Sequence, residues 1–276
     1  MFEDEAHGPG CLSGPIRYWR YCWLKRPVVL IRAMPTQGAE MEDNVQATRP
    51  RIAILLYDGL TALDFIAPHQ AWCMFADIFL VSKDGEPITT DSAIVMHATH
   101  SFETCPQDLD VFFVPGGMST FDLMLETETV EFVRERGERA RFVTSVCNGA
   151  IVLGAAGLLD GYRAATHWAT YEMLKLTGTV EAVSDRVVID RNRLTGGGVT
   201  AGLDFGLVVL SQLLGEQVGK NAQLILEYNP APPFETGHPS IADEETLGQV
   251  TAFLQDFNDH GMAQARKVQE RRALTA

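Results

Sequence analysis

Positive charge is scarce in this sequence: Lys and Arg number 22 against 36 Asp and Glu, a formal net charge of −14. Binding to a phosphate backbone rests on clustered Lys and Arg that displace counterions, so the composition disfavours a nucleic-acid partner. It disfavours an anionic membrane surface for the same reason. Cysteine is also sparse. Cys11, Cys22, Cys73, Cys105 and Cys147 are odd in number and contain no Cys-x-x-Cys pair, which fits neither a disulfide framework nor a zinc site. His69, His97 and His100 are dispersed without ligand spacing, so no metal is expected. Long apolar runs are missing too. The stretch "IRYWRYCWLKRPVVLIRA" (16–33) holds five basic residues and is interrupted by Pro27. It is too charged to span a bilayer and reads as an amphipathic targeting segment or as a surface extension. The opening "MFEDEAHGPG" has no basic n-region, so no secretory leader is expected. Residues 1–48 are read as an extension, with Met41 as an alternative start. A cytoplasmic location without membrane attachment follows from these absences.

From Arg51 onward, short apolar runs alternate with helical text. "RIAILLY" (51–57), "DVFFVPGG" (110–117) and "RFVTSV" (141–146) read as buried strands, and 62–76, 119–136, 148–157 and 200–215 as helices. Strands interleaved with helices predict a mostly parallel sheet covered on both faces: an α/β, three-layer Rossmann-like or flavodoxin-like sandwich. "VEAVSDRVVIDRNRLTGG" reads as a strand pair turning at Ser184-Asp185. The Pro-rich "NPAPPFETGHP" (229–239) closes a main domain over 49–236, and 237–276 reads as one C-terminal helical region with an acidic start.

Ligands bind open parallel sheets beyond the carboxyl ends of the strands, and three features converge there. Cys147 falls between the strand "RFVTSV" and a helix beginning near Asn148. Such an elbow exposes a side chain, and a helix N-terminus favours a thiolate, which suits a nucleophile. The competing reading is a small buried apolar residue, a common fate of free cysteine. Gly116 and Gly117 end "FFVPGG" and could turn backbone N–H groups toward a developing charge, or could simply form a turn. Asp64, in "YDGLTALDFIAP", is either a first-turn helix carboxylate or a partner of Cys147, depending on the fold. Asp204 in "AGLDFGL" reads as a structural carboxylate.

The segments "LYDGLTALDFIAP", "DVFFVPGG", "TSVCNGAIVLGAAGLLDGYRAATHW" and "GGGVTAGLDFGL" together resemble the ThiJ/PfpI superfamily of glutamine-amidotransferase-like folds. Across about residues 50–236, "GAAGLLDGYRAATHW" and "LEYNPAPPF" resemble its isonitrile-hydratase branch. The resemblance implies a cofactor-independent lyase that adds water to an isonitrile, with Cys147 as nucleophile and Asp64 as acid and base. It further implies backbone donors at Gly117 and Asn148, support from Gly116 and His167, and a homodimer. His167 either tunes Cys147 or serves the fold. One position departs from the branch, which carries threonine after the nucleophile where this chain has Asn148. That position also argues against the superfamily's peptidases, which carry histidine there. A carbonyl-active, glyoxalase-like cysteine enzyme and a redox- or ligand-sensing member remain as alternatives. The regulator branch appends DNA-reading helix-turn-helix units, and no such pair is legible here.

Overall fold

β1 (Arg51–Leu55) opens the described part of the chain; the computed structural model describes residues 49–275. The expected extension 1–48, with its segment 16–33, Met41, Cys11 and Cys22, lies outside the described residues. After β1 come α1 (Ala62–Trp72), β2 (Asp77–Val81) and the short hairpin of β3 (Ile88–Thr89) and β4 (Val95–Met96). There follow β5 (Val111–Val114), α2 (Thr120–Leu123), α3 (Thr127–Arg139), β6 (Phe142–Val146) and α4 (Gly149–Ala155). β7 (Arg163–Ala165), α5 (Tyr171–Leu176) and β8 (Glu181–Val183) precede the edge hairpin of β9 (Val187–Asp190) and β10 (Arg193–Gly196). The chain continues through α6 (Ala201–Leu214), α7 (Glu216–Ile225), α8 (Glu244–Phe253) and α9 (Gln255–Thr275).

The main sheet has six strands in the order β2-β1-β5-β6-β10-β9, all parallel except the last pairing. All four residues of β5 and four of the five in β6 are buried, as central strands covered on both faces require. α1 and α6 pack together over one face, where Trp72 Nε1 donates to the Gly206 carbonyl at 2.8 Å. α3 and α4 adjoin over the other. The expected three-layer α/β sandwich is therefore the observed one. Its core gathers Trp72, Phe113 and Phe205, with ring centroids 5.4–5.9 Å apart.

The local reading needs four corrections. Residues 119–136 form two helices, because the chain turns between Met124 and Glu126. The strand pair does not turn at Ser184-Asp185: β8 pairs in parallel with β7, and the hairpin β9–β10 turns at Arg191, which takes a positive φ of 53°. α7 was not legible as a separate helix. The C-terminal region is two helices, of which α9 docks through buried Ala265 and Val268. Among the described residues, no helix is long and apolar enough to cross a membrane.

Candidate active site

β6 delivers Cys147 to the carboxyl edge of the sheet, and α4 starts two residues later. The turn is sharp enough to put Cys147 at φ 56°, in the left-handed region that a side chain disfavours. Three hydrogen bonds hold it there. Its N–H donates to the Gly197 and Gly196 carbonyls at 2.7 and 3.1 Å, and its carbonyl accepts from Thr166 Oγ1 at 3.1 Å. A strained residue so over-determined by its neighbours is a frequent mark of function.

β1 and α1 bring in Asp64, which is fully buried. Its Oδ2 accepts from the Gly116 N–H at 3.0 Å, and the Cys147 thiol is near enough to influence the titration of the same carboxyl. Its Oδ1 has no hydrogen-bond partner. Burial drives the Asp64 pKa from 3.8 to about 7, against the lowering effect of the Gly116 N–H and of the neighbouring thiol. The thiol moves the same way: burial first, then the Asp64 charge, push Cys147 well above the usual thiol value, while the Asn148 N–H pulls it down. This corrects the expectation of a helix-stabilised thiolate. α4 has 7 residues, and its end cannot offset the loss of water around the sulfur.

Gly116 and Gly117 form a plate between the two helices. Gly116 gives its N–H to Asp64 and its carbonyl to the Thr61 N–H at 2.9 Å. Gly117 gives its N–H to Asn148 Oδ1 at 2.8 Å, and its carbonyl accepts from Asn148 Nδ2 at 3.0 Å. The Gly117 N–H expected to face a developing charge is thus already engaged. The backbone donor beside the sulfur is that of Asn148. A Cβ on Gly116 would lie 2.5 Å from Asn148 Oδ1, 2.6 Å from Asp64 Oδ2 and 2.8 Å from Cys147 Cβ, so glycine is required at this close approach.

His167 is half-buried and caps the turn at Trp168–Thr170 by accepting from the Ala169 N–H at 3.3 Å. Burial lowers its pKa. Among the described residues, no hydrogen bond joins it to Cys147 or Asp64. Asp204 holds Arg186 Nε at 2.6 Å and accepts from the Tyr228 hydroxyl at 3.0 Å, a structural role. Cys73 caps the end of α1 and Cys105 is buried in a loop, both apart from the elbow.

Two residues of the site were missed. Tyr57, at the end of β1, is buried and donates to the Pro115 carbonyl at 2.8 Å; burial, then the charges of Asp64 and Cys147, push its pKa up. Asp91 accepts from Thr61 Oγ1 at 2.7 Å and from the Ala62 N–H at 3.4 Å, capping α1 from outside. Its charge raises both Asp64 and Cys147. Tyr57 had a sequence signal in the turn "LYDG", but Asp91 had none. Among the described residues, no group of three His, Cys, Asp or Glu is placed to hold a metal ion.

A mostly parallel six-stranded sheet flanked by helices, with a cysteine and a buried carboxyl at its carboxyl edge, defines an α/β protein of flavodoxin-like architecture. More narrowly, the chain belongs to the DJ-1/PfpI family, whose model matches residues 50–212. It is 45% identical over 202 residues to isonitrile hydratase from Pseudomonas putida, across 72% of this chain and 88% of that one. The crystal structure of a ThiJ/PfpI family protein from Pseudomonas syringae covers 85% of this chain and 98% of its own, with 40% identity and a TM-score of 0.77. The HTH-type transcriptional regulator GbdR of Pseudomonas aeruginosa is 30% identical over 178 residues, 64% of this chain and 48% of the regulator.

Proposed function

We propose that this protein hydrates an isonitrile to the N-substituted formamide, with Cys147 as nucleophile and Asp64 as the group that moves protons. The observation that carries the reading is the buried juxtaposition of Cys147 and Asp64 around Gly116, with the carboxyl poised near 7 and one of its oxygens unpartnered. The likeness to the Pseudomonas putida hydratase supports it.

A carboxyl titrating near 7 is in part ionised at neutral pH and can take a proton from a thiol that burial keeps un-ionised. The chemistry then balances with Asp64 carrying one proton in each of three transfers. Asp64 removes the S–H proton and delivers it to the terminal carbon of R–N≡C while sulfur bonds to that carbon, giving the thioimidate R–N=CH–S–Cys147. The ionised Asp64 next removes a proton from water as its oxygen bonds to the same carbon, and passes that proton to nitrogen. Collapse of R–NH–CH(OH)–S breaks the C–S bond, returns the hydroxyl proton to sulfur through Asp64, and releases R–NH–CHO. The Asn148 N–H supports negative charge on sulfur at the start and the end. Leu63 and Met118 adjoin Asp64 and Gly117 in the chain and are 45% and 55% exposed, which suits an apolar R group.

In the same reading, residues 49–236 form the catalytic domain and 237–276 a helical region attached to it. The protein is cytoplasmic, needs no cofactor or nucleic acid, and works as a homodimer, for which exposed Leu224, Phe234 and Phe253 offer apolar surface. The test is formamide release from cyclohexyl isocyanide by the native protein, Cys147→Ala and Asp64→Asn. Product from the native protein alone supports the reading. Turnover retained by Cys147→Ala, or no product from any of the three, defeats it.

A further inference from the structure

We infer that Asn148 is a positioning residue: its side-chain amide clamps the Gly117 peptide and thereby holds the Gly116 N–H against Asp64. The amide meets both polar atoms of one residue, with Oδ1 accepting from the Gly117 N–H at 2.8 Å and Nδ2 donating to the Gly117 carbonyl at 3.0 Å. Asn148 is buried, so the pairing is shielded from competing water. The hydrogen bonds of the two glycines reach three helices. Gly116 is tied through its N–H and carbonyl to Asp64 and Thr61 at the start of α1. Gly117 is tied through its N–H to Asn148 at the start of α4, and through its carbonyl to both Asn148 and the Thr120 hydroxyl, at 2.9 Å, at the start of α2. Residues with so little steric restraint do not hold one orientation unaided. Thr120 and the bridge to Leu60 hold the carbonyl side and the backbone direction, while Asn148 is the side chain that takes the Gly117 N–H as well.

The clamp decides two features of the site. It withdraws the Gly117 N–H from any substrate, which leaves the Asn148 N–H as the donor beside the sulfur. It also keeps the Gly116 N–H on Asp64 Oδ2, and that bond opposes the upward pull of burial on the Asp64 pKa. Cys147 and Asp91 are the ionisable groups that act with it on Asp64, and the Asp64 charge in turn raises Tyr57. Loss of the clamp is therefore expected to move the Asp64 titration up. A threonine or serine here could meet one atom of Gly117 with its hydroxyl, whereas the amide meets both. The consequence for hydration rests on the hydratase reading, but the effect on the titration does not.

The pH profile of Cys147 alkylation by iodoacetamide reports the coupled pair without any isonitrile. It is to be recorded for the native protein and for Asn148→Ala, beside thermal melts. The expected result is an Asp64-linked inflection displaced to higher pH, changing the alkylation rate at its midpoint by about threefold or more. A folded Asn148→Ala whose profile overlays the native one overturns the inference. Should Asn148→Ala fail to fold, Asn148→Ser carries the same test. Its hydroxyl can still serve the Gly117 N–H, so a smaller displacement in the same direction is expected, and an unmoved profile is equally decisive against the clamp. Failure of isocyanide hydration by the native protein would count against the proposed function alone.

Discussion

Cys147 and Asp64 meet, buried together, around Gly116, although one side chain follows β6 and the other rides on α1 after β1. The parallel sheet makes this meeting possible by ending β1, β5 and β6 at one edge, with Gly116 close beside both side chains. Both groups hold their protons more tightly than they would in water. The site thus favours a protonated thiol over a standing thiolate.

Asp64 makes stability depend on pH. Its folded value of about 7 exceeds the ordinary 3.8, so the folded state favours the protonated form. That contribution is full below the unfolded value and is lost as pH rises through about 7. Relative to Asp64→Asn, the native protein should lose on the order of 4 kcal/mol between pH 4 and pH 8. Urea unfolding of both proteins across that range measures the difference, and parallel stability curves would refute the assignment.

Gly116→Ala should disable the site. Its Cβ would sit at 2.5–2.8 Å from Asn148 Oδ1, Asp64 Oδ2 and Cys147 Cβ, so at least one of the three must move. Displacements of this kind reduce turnover by roughly a hundredfold, and overpacking costs about 1–3 kcal/mol. Formamide assays and thermal melts read both. Native turnover in this variant would mean that the plate does not set the geometry.

Asp91→Asn tests the outer charge. Asparagine keeps an oxygen for Thr61 and the Ala62 N–H but removes the negative charge that raises Asp64 and Cys147. The alkylation profile of Cys147 should move to lower pH, opposite to the displacement expected for Asn148→Ala. An upward displacement would show that capping of α1 outweighs charge.

Gly261→Ala should loosen α9. A methyl there would lie 2.6 Å from the Phe121 ring and 2.7 Å from Met173 Sδ. Alanine gains about 1 kcal/mol in helix propensity, but overpacking against a buried ring costs about 1–3 kcal/mol. The balance is a lower melting temperature, and an unchanged or higher one would mean that α9 is not held at this contact.

Legibility in the sequence followed burial. β5 and β6 lie deep in the sheet and read as unbroken apolar runs, whereas β3, β4 and β7 have two or three residues each and leave no pattern, and β8 was read as a strand but given the wrong partner. The hairpin β9–β10 was misplaced because Ser-Asp is the stronger turn text, while the chain turns at Arg191. Cys147 and Asp64 were legible as residues, one by its place at a strand end and the other through family resemblance. Their protonation was not, because the argument from the helix end ignored how much water the fold removes. Asn148 shows the same limit. Its backbone position was readable, but the pairing of its amide with Gly117 depends on an orientation that only the folded loop fixes.

The left-handed backbone at Cys147 sets chemistry against folding at a single position. Glycine adopts that conformation without steric penalty, while any side chain there costs about 1–2 kcal/mol. A directed-evolution screen that rewards thermal resistance alone would therefore enrich glycine at 147 and discard the thiol. Any programme to harden this protein has to score turnover in every round, because a stabilising change open to it removes the sulfur proposed as nucleophile.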